Sequence, residues 1–144
     1  LYPAAHLTHP ERLDTVMGCV SDKFRSGVVI PHWCMKLFIN AYTTPGTDMN
    51  DPRLSPMFYD ASKFPKYVAV ACGDADTLYR MSFDLMKKIS GSASGTNVDG
   101  SRKFICVPNE AHEFNTFGRT RASQEERDRV EGEAINMIRA SWRQ

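Results

Sequence analysis

The sequence predicts an α/β fold in which parallel strands are flanked by helices, with helical segments ahead of them. Three observations carry this expectation. Residues 66–72 and 103–107 are short apolar runs rich in valine, isoleucine and phenylalanine, and turn residues bound them. Such runs read as strands buried on both faces. Each run is followed by apolar residues at helical spacing, and the order strand–helix–strand–helix argues for a parallel sheet covered by helices.

The chain has 144 residues, enough for one domain with a sizeable core. Lys and Arg total 18 against 17 Asp and Glu, a net charge of +1. With no basic tail or patch, nucleic acid is not expected as a partner. The central apolar run, 67–72, falls far short of the roughly 20 residues of a membrane span. No secretory signal opens the sequence. Leu1-Tyr2-Pro3 reads like the tail of a strand, so the chain is expected to be a piece of something longer. The four cysteines, Cys19, Cys34, Cys72 and Cys106, lie far apart with no C-x-x-C, so a zinc site is not expected. Cys72 and Cys106 sit in apolar runs and read as buried free thiols. The compartment stays open.

The elements follow in order. Thr8 and Glu11 form a capping box with Pro10 in the first turn. Leu13, Val16, Met17, Val20 and Phe24 then mark one helix face, ended by Ser26-Gly27. After Pro31, Trp33, Cys34, Leu37, Phe38 and Ala41 suit a short helix. Residues 43–56 read as an ordered loop. Beyond the first strand, Leu78, Met81, Leu85, Met86 and Ile89 line a helix, and 90–100 is a Ser/Gly-rich loop. Beyond the second strand, Ser123 and Glu126 form another capping box. Val130, Ala134, Met137, Ile138 and Trp142 line the last helix. Two strands do not make a stable sheet alone, so further strands are expected from outside this chain.

In open parallel sheets ligands gather at the carboxyl ends of the strands. Two loops leave such ends: Gly73-Asp74-Ala75-Asp76-Thr77-Leu78 and Pro108-Asn109-Glu110-Ala111-His112-Glu113-Phe114. One offers carboxylates, the other a histidine. A carboxylate that orients an imidazole is half of a nucleophilic triad, and acid before histidine is the chain order of α/β hydrolases. Blander roles compete: Asp76 as a helix cap, His112 as a loop histidine, Phe114 and Phe117 as core. Glu110 and Glu113 read as solvated, and His6, His9 and His32 as surface or packing residues. The only near match to a G-x-S-x-G elbow, Gly91-Ser92-Ala93-Ser94-Gly95, has alanine at the nucleophile position and follows a helix. A serine and an oxyanion hole would therefore come from outside the chain.

These residues resemble the C-terminal half of the hormone-sensitive-lipase-like group of α/β hydrolases, which are serine carboxylesterases and lipases. Asp51-Pro52-Arg53-Leu54-Ser55-Pro56 is similar to that group's D-P-R-x-S-P run. Gly73-Asp74-Ala75-Asp76-Thr77-Leu78 is similar to its G-x-x-D-x-L loop, and Ala111-His112-Glu113-Phe114 stands where it has H-G-F. The resemblance implies Asp76 as triad acid, with Asp74 as rival, and His112 as general base. It implies residues 1–4 as the end of a core strand, 5–45 as a helical cap segment and 46–144 as the C-terminal part of the core. Val16, Met17, Trp33, Phe38, Leu78 and Phe117 are then candidates for substrate-pocket walls. Its chemistry requires no metal or organic cofactor. The implied partners are a small ester, the N-terminal half of the same enzyme and a second copy, since members often dimerise through the last strand and helix. Glu113 replaces the group's usual glycine, Arg80 stands where many members carry an acid, and the interval from Asp76 to His112 is long, the 90–100 loop holding the extra length. A non-catalytic small-molecule receptor on the same fold is the alternative reading, and an independent small α/β module is a third.

Overall fold

A computed structural model describes residues 4–7, 21 and 23–143. The expected strand end at Leu1-Tyr2-Pro3, the Thr8–Glu11 capping box and the apolar face at Leu13, Val16, Met17 and Val20 lie outside these residues. Phe24, expected at the end of that face, is non-helical and exposed.

The first described helix is α1, His32–Tyr42. Its expected apolar face is largely open to solvent: Trp33, Leu37 and Phe38 are exposed, and Met35 is the side chain it buries. Amphipathic spacing defines a face, but another element must cover it. Residues 43–55 form an ordered series of turns, as their composition suggests. Asp51 accepts from the backbone N–H and guanidinium of Arg53, which lower its carboxyl to about 2. Ser55 is fully buried and donates to the Met49 carbonyl at 2.8 Å while accepting from Leu7 N–H at 2.9 Å. The D-P-R-x-S-P run is thus a self-bonded turn fastened to the N-terminal residues.

Strand β1, Val68–Gly73, pairs in parallel with β2, Arg102–Val107, with Val70 opposite Phe104 and Cys72 opposite Cys106. These are the two strands of the sheet among the described residues. Helix α2, Tyr79–Ser90, covers one face. There Val70, Cys72 and Phe104 pack on Leu85, Met86 and Ile89. On the other face Ala71, Ile105 and Val107 pack on Phe114 and Val130. Phe114 begins the single-turn helix α3, Phe114–Phe117, and Val130 lies in the long helix α4, Arg121–Trp142. The order is helix–sheet–helix, as alternating strands and helices dictate.

Helix α2 matches its sequence pattern: Met81, Leu85, Met86 and Ile89 are buried, and Gly91 ends it in the left-handed conformation, as a C-cap glycine does. Helix α4 does not. Its cap is Thr120, whose side chain accepts from Ser123 N–H at 3.1 Å, so the helix begins before the expected Ser123–Glu126 box. Ser123 is instead buried inside the first turn. Of the expected apolar stripe, Val130 is buried while Ile138 and Trp142 are exposed. Cys72 is buried, but Cys106, expected to be buried beside it, is exposed on the strand whose outer edge no other described strand pairs. No described helix is long and apolar enough to cross a membrane.

Candidate active site

The loops leaving β1 and β2 meet side by side. Asp74 N–H donates to the Val107 carbonyl and Ala75 N–H to that of Glu110, both at 3.1 Å. Gly73 makes this approach feasible: a Cβ there would lie 1.9 Å from the Glu110 carbonyl oxygen. Only a residue without a side chain lets two backbones come so close.

Asp76 is completely buried. Its Oδ1 accepts from Leu78 N–H at 2.8 Å, closing a side-chain turn just ahead of α2. Its Oδ2 lies 3.0 Å from His112 Nδ1. Asp76 therefore does not cap the helix, whose cap position is Leu78, but closes the turn leading into it and meets the histidine. Against a carboxylate, which can only accept, Nδ1 carries the proton and the neutral ring keeps its lone pair on Nε2. Burial, then the charge and hydrogen bond of Asp76, push the neighbouring Cys72 thiol well above its ordinary range. Asp74, the rival acid, is turned elsewhere: its Oδ1 accepts from Asn109 N–H at 2.7 Å.

His112 is held from the other side by residues 25–28. Val28 N–H donates to the His112 carbonyl at 2.8 Å, and His112 N–H to that of Val28 at 3.1 Å. The next residue, Glu113, has φ +58°, a left-handed conformation that costs a side chain but not a glycine. Glu110, expected in solvent, is completely buried; Arg25, Ser26 and Ser123 bond its carboxylate. No nearby spacing in the sequence announces this, since Arg25 is 85 positions away.

The histidine opens onto an apolar cavity of about 620 Å³, lined by Ile30, Met35, Phe38, Ile39, Leu54 and Leu78 among others. Of the six expected wall residues, Phe38 and Leu78 line it. Trp33, 67% exposed on α1, and Phe117, 44% exposed, do not. Val16 and Met17 lie outside the described residues. Sequence reasoning missed Ile30, Met35 and Ile39 as walls. Met35 and Ile39 are four apart on one side of α1, a signal hidden by the apolar pair Trp33 and Leu37 at the same spacing. Among the described residues, no group of three His, Cys, Asp or Glu side chains could hold a metal ion.

No family model and no curated protein matches this sequence. Among solved structures it is similar to a serine-to-alanine mutant of LAE6, an α/β hydrolase enzyme from the metagenome of Lake Arreo, Spain. The two are 19% identical with a TM-score of 0.64, over 90% of this chain and 38% of that one. The expectation of an α/β fold built from parallel strands and flanking helices thus holds, and the fold is similar to part of that α/β hydrolase.

Proposed function

We propose that this chain supplies the acid and the general base of a serine carboxylesterase of the hormone-sensitive-lipase-like kind. The observation that carries the reading is Asp76 Oδ2 at 3.0 Å from His112 Nδ1, at the carboxyl ends of two adjacent parallel strands and at the mouth of an apolar cavity. The fold shared with an α/β hydrolase and the D-P-R-x-S-P turn at Asp51–Ser55 support it. In this reading a serine outside the chain attacks the ester carbonyl and His112 Nε2 takes its proton. Asp76 keeps the ring in that tautomer and stabilises the imidazolium. The proton passes to the departing alcohol, and the same histidine then activates the water that releases the acid from the acyl-enzyme. The cavity, lined by apolar side chains, takes the hydrocarbon part of the ester.

The test is hydrolysis of p-nitrophenyl esters by the intact protein, together with labelling by a fluorophosphonate. Wild type is expected to turn over and to carry the label on a serine outside residues 1–144. Asp76→Asn is expected to lower kcat by about 10⁴-fold through the wrong tautomer. An equal collapse in Asp74→Asn with Asp76→Asn active overturns the choice of acid. Ester binding without turnover or label favours the receptor.

A further inference from the structure

Glu110 has no part in the chemistry just described, yet it is fully buried two residues before His112. Its Oε1 accepts from Arg25 Nε at 3.0 Å and from Ser123 Oγ at 2.8 Å, and its Oε2 accepts from Ser26 Oγ at 2.5 Å. A carboxylate leaves water at little net cost only where donors replace its hydration shell, and here a guanidinium and two hydroxyls do so. The donors come from two distant parts of the chain: the segment ahead of α1 and the first turn of α4.

The same segment grips the histidine loop along its length. Arg25 N–H donates to the Asn109 carbonyl at 2.7 Å, and the Arg25 guanidinium to that of Pro108 at 2.9 Å. Ala111 N–H donates to the Ser26 carbonyl at 3.0 Å, and Val28 and His112 exchange both backbone bonds. Gly27 permits the contact, since a Cβ there would lie 2.4 Å from the His112 carbonyl oxygen. Asn109 and Glu113, on either side, both have φ +58°. Left-handed residues persist where surrounding bonds over-determine them.

We propose that Glu110 is a positioning residue for His112, fastening residues 25–28 against the histidine loop and so setting the imidazole against Asp76. The proposal rests on the reading of His112 as general base. Asp76 fixes the ring through Nδ1, and Glu110 fixes the backbone that carries it. Ile30, two residues past Val28, lines the cavity, so the clamp also joins the pocket wall to the histidine.

The test has a spectroscopic readout independent of turnover: the downfield proton resonance of His112 Nδ1–H bonded to Asp76, recorded on the intact protein and assigned by its loss in His112→Asn. Glu110→Ala is expected to broaden or abolish it while far-UV circular dichroism and a cooperative melt persist. Glu110→Gln keeps an acceptor for Arg25 and Ser123 and is expected to retain it. In ester hydrolysis, kcat of Glu110→Ala is expected to fall about 10–100-fold, the cost of a displaced catalytic group, with Glu110→Gln restoring most of it. A folded Glu110→Ala protein with an unchanged resonance overturns the proposal. Should that variant fail to fold, the double variant Ser26→Ala, Ser123→Ala decides, and an unchanged resonance there overturns it equally. A wild type that hydrolyses no ester but shows the resonance, lost in Glu110→Ala, sinks the esterase and leaves the clamp standing. Absence of the resonance from the wild type overturns both.

Discussion

The β1–α2 and β2–α4 units are the same strand–loop–helix device, but they are held in different ways. The first holds itself. Asp76 N–H bonds the Gly73 carbonyl, Tyr79 N–H bonds that of Asp76, and Asp76 Oδ1 takes Leu78 N–H, all within a few residues. Its helix then buries Met81, Leu85, Met86 and Ile89. The second depends on others. Its loop passes through two left-handed residues, Asn109 and Glu113, and is bonded to Arg25, Ser26 and Val28. Its helix buries Val130 and Ser123 and exposes Ile135, Ile138 and Trp142. The acid is therefore placed by local bonding and the histidine by tertiary contacts.

The contrast can be broken at several points. The largest stability effect belongs to α2: Met86→Ala is expected to cost about 2–5 kcal/mol, as buried large-to-small changes do. Ile138→Ala on α4 is expected to stay within about 0.5 kcal/mol. Urea unfolding of the two variants side by side measures the difference, and equal losses would mean that α4 is covered in the intact protein. Next comes the meeting of the loops. Gly73→Ala forces a Cβ onto the Glu110 backbone and is expected to cost about 1–3 kcal/mol, with activity falling about 100-fold as the histidine shifts from Asp76. Denaturant midpoints and kcat together report it.

A smaller effect is expected at the α4 cap. Thr120→Ala removes the acceptor for Ser123 N–H and is expected to cost about 1 kcal/mol. Thermal melts measure it, and an unchanged midpoint in Thr120→Ala would remove Thr120 as the cap. The smallest effect is a gain. Glu113→Gly relieves the left-handed strain and is expected to raise stability by up to about 1 kcal/mol without loss of turnover. A loss would give the Glu113 side chain a role that its backbone does not explain.

Much of the fold was legible because it is written in local pattern. The apolar runs gave both strands within two residues of their ends, and the period of Met81, Leu85 and Ile89 gave the face of α2. At the site, although α2 starts at Tyr79 and the Asp76 carboxylate closes a turn with Leu78 N–H ahead of it rather than capping it, a local role for Asp76 at the entry to α2 was legible for the same reason. Glu110 was not. A glutamate in a loop reads as solvated, and its partners Arg25 and Ser123 carry no mark of the pairing. The spacing of Trp33 and Leu37 on α1 and of Ile138 and Trp142 on α4 marks apolar residues on a helix, but these side chains are exposed, because periodicity says nothing about what lies against a face.

The sequence by itself determined the strand–helix alternation and the short turn from Asp76 to Leu78, because each follows from residues bonded to near neighbours. Only the tertiary structure decided that Asp76 rather than Asp74 meets His112, that Glu110 is buried among Arg25, Ser26 and Ser123, and which side chains wall the cavity. Those outcomes depend on how segments far apart in the chain close on one another, and backbone spacing of 3.6 or 2 residues carries no information about that closure.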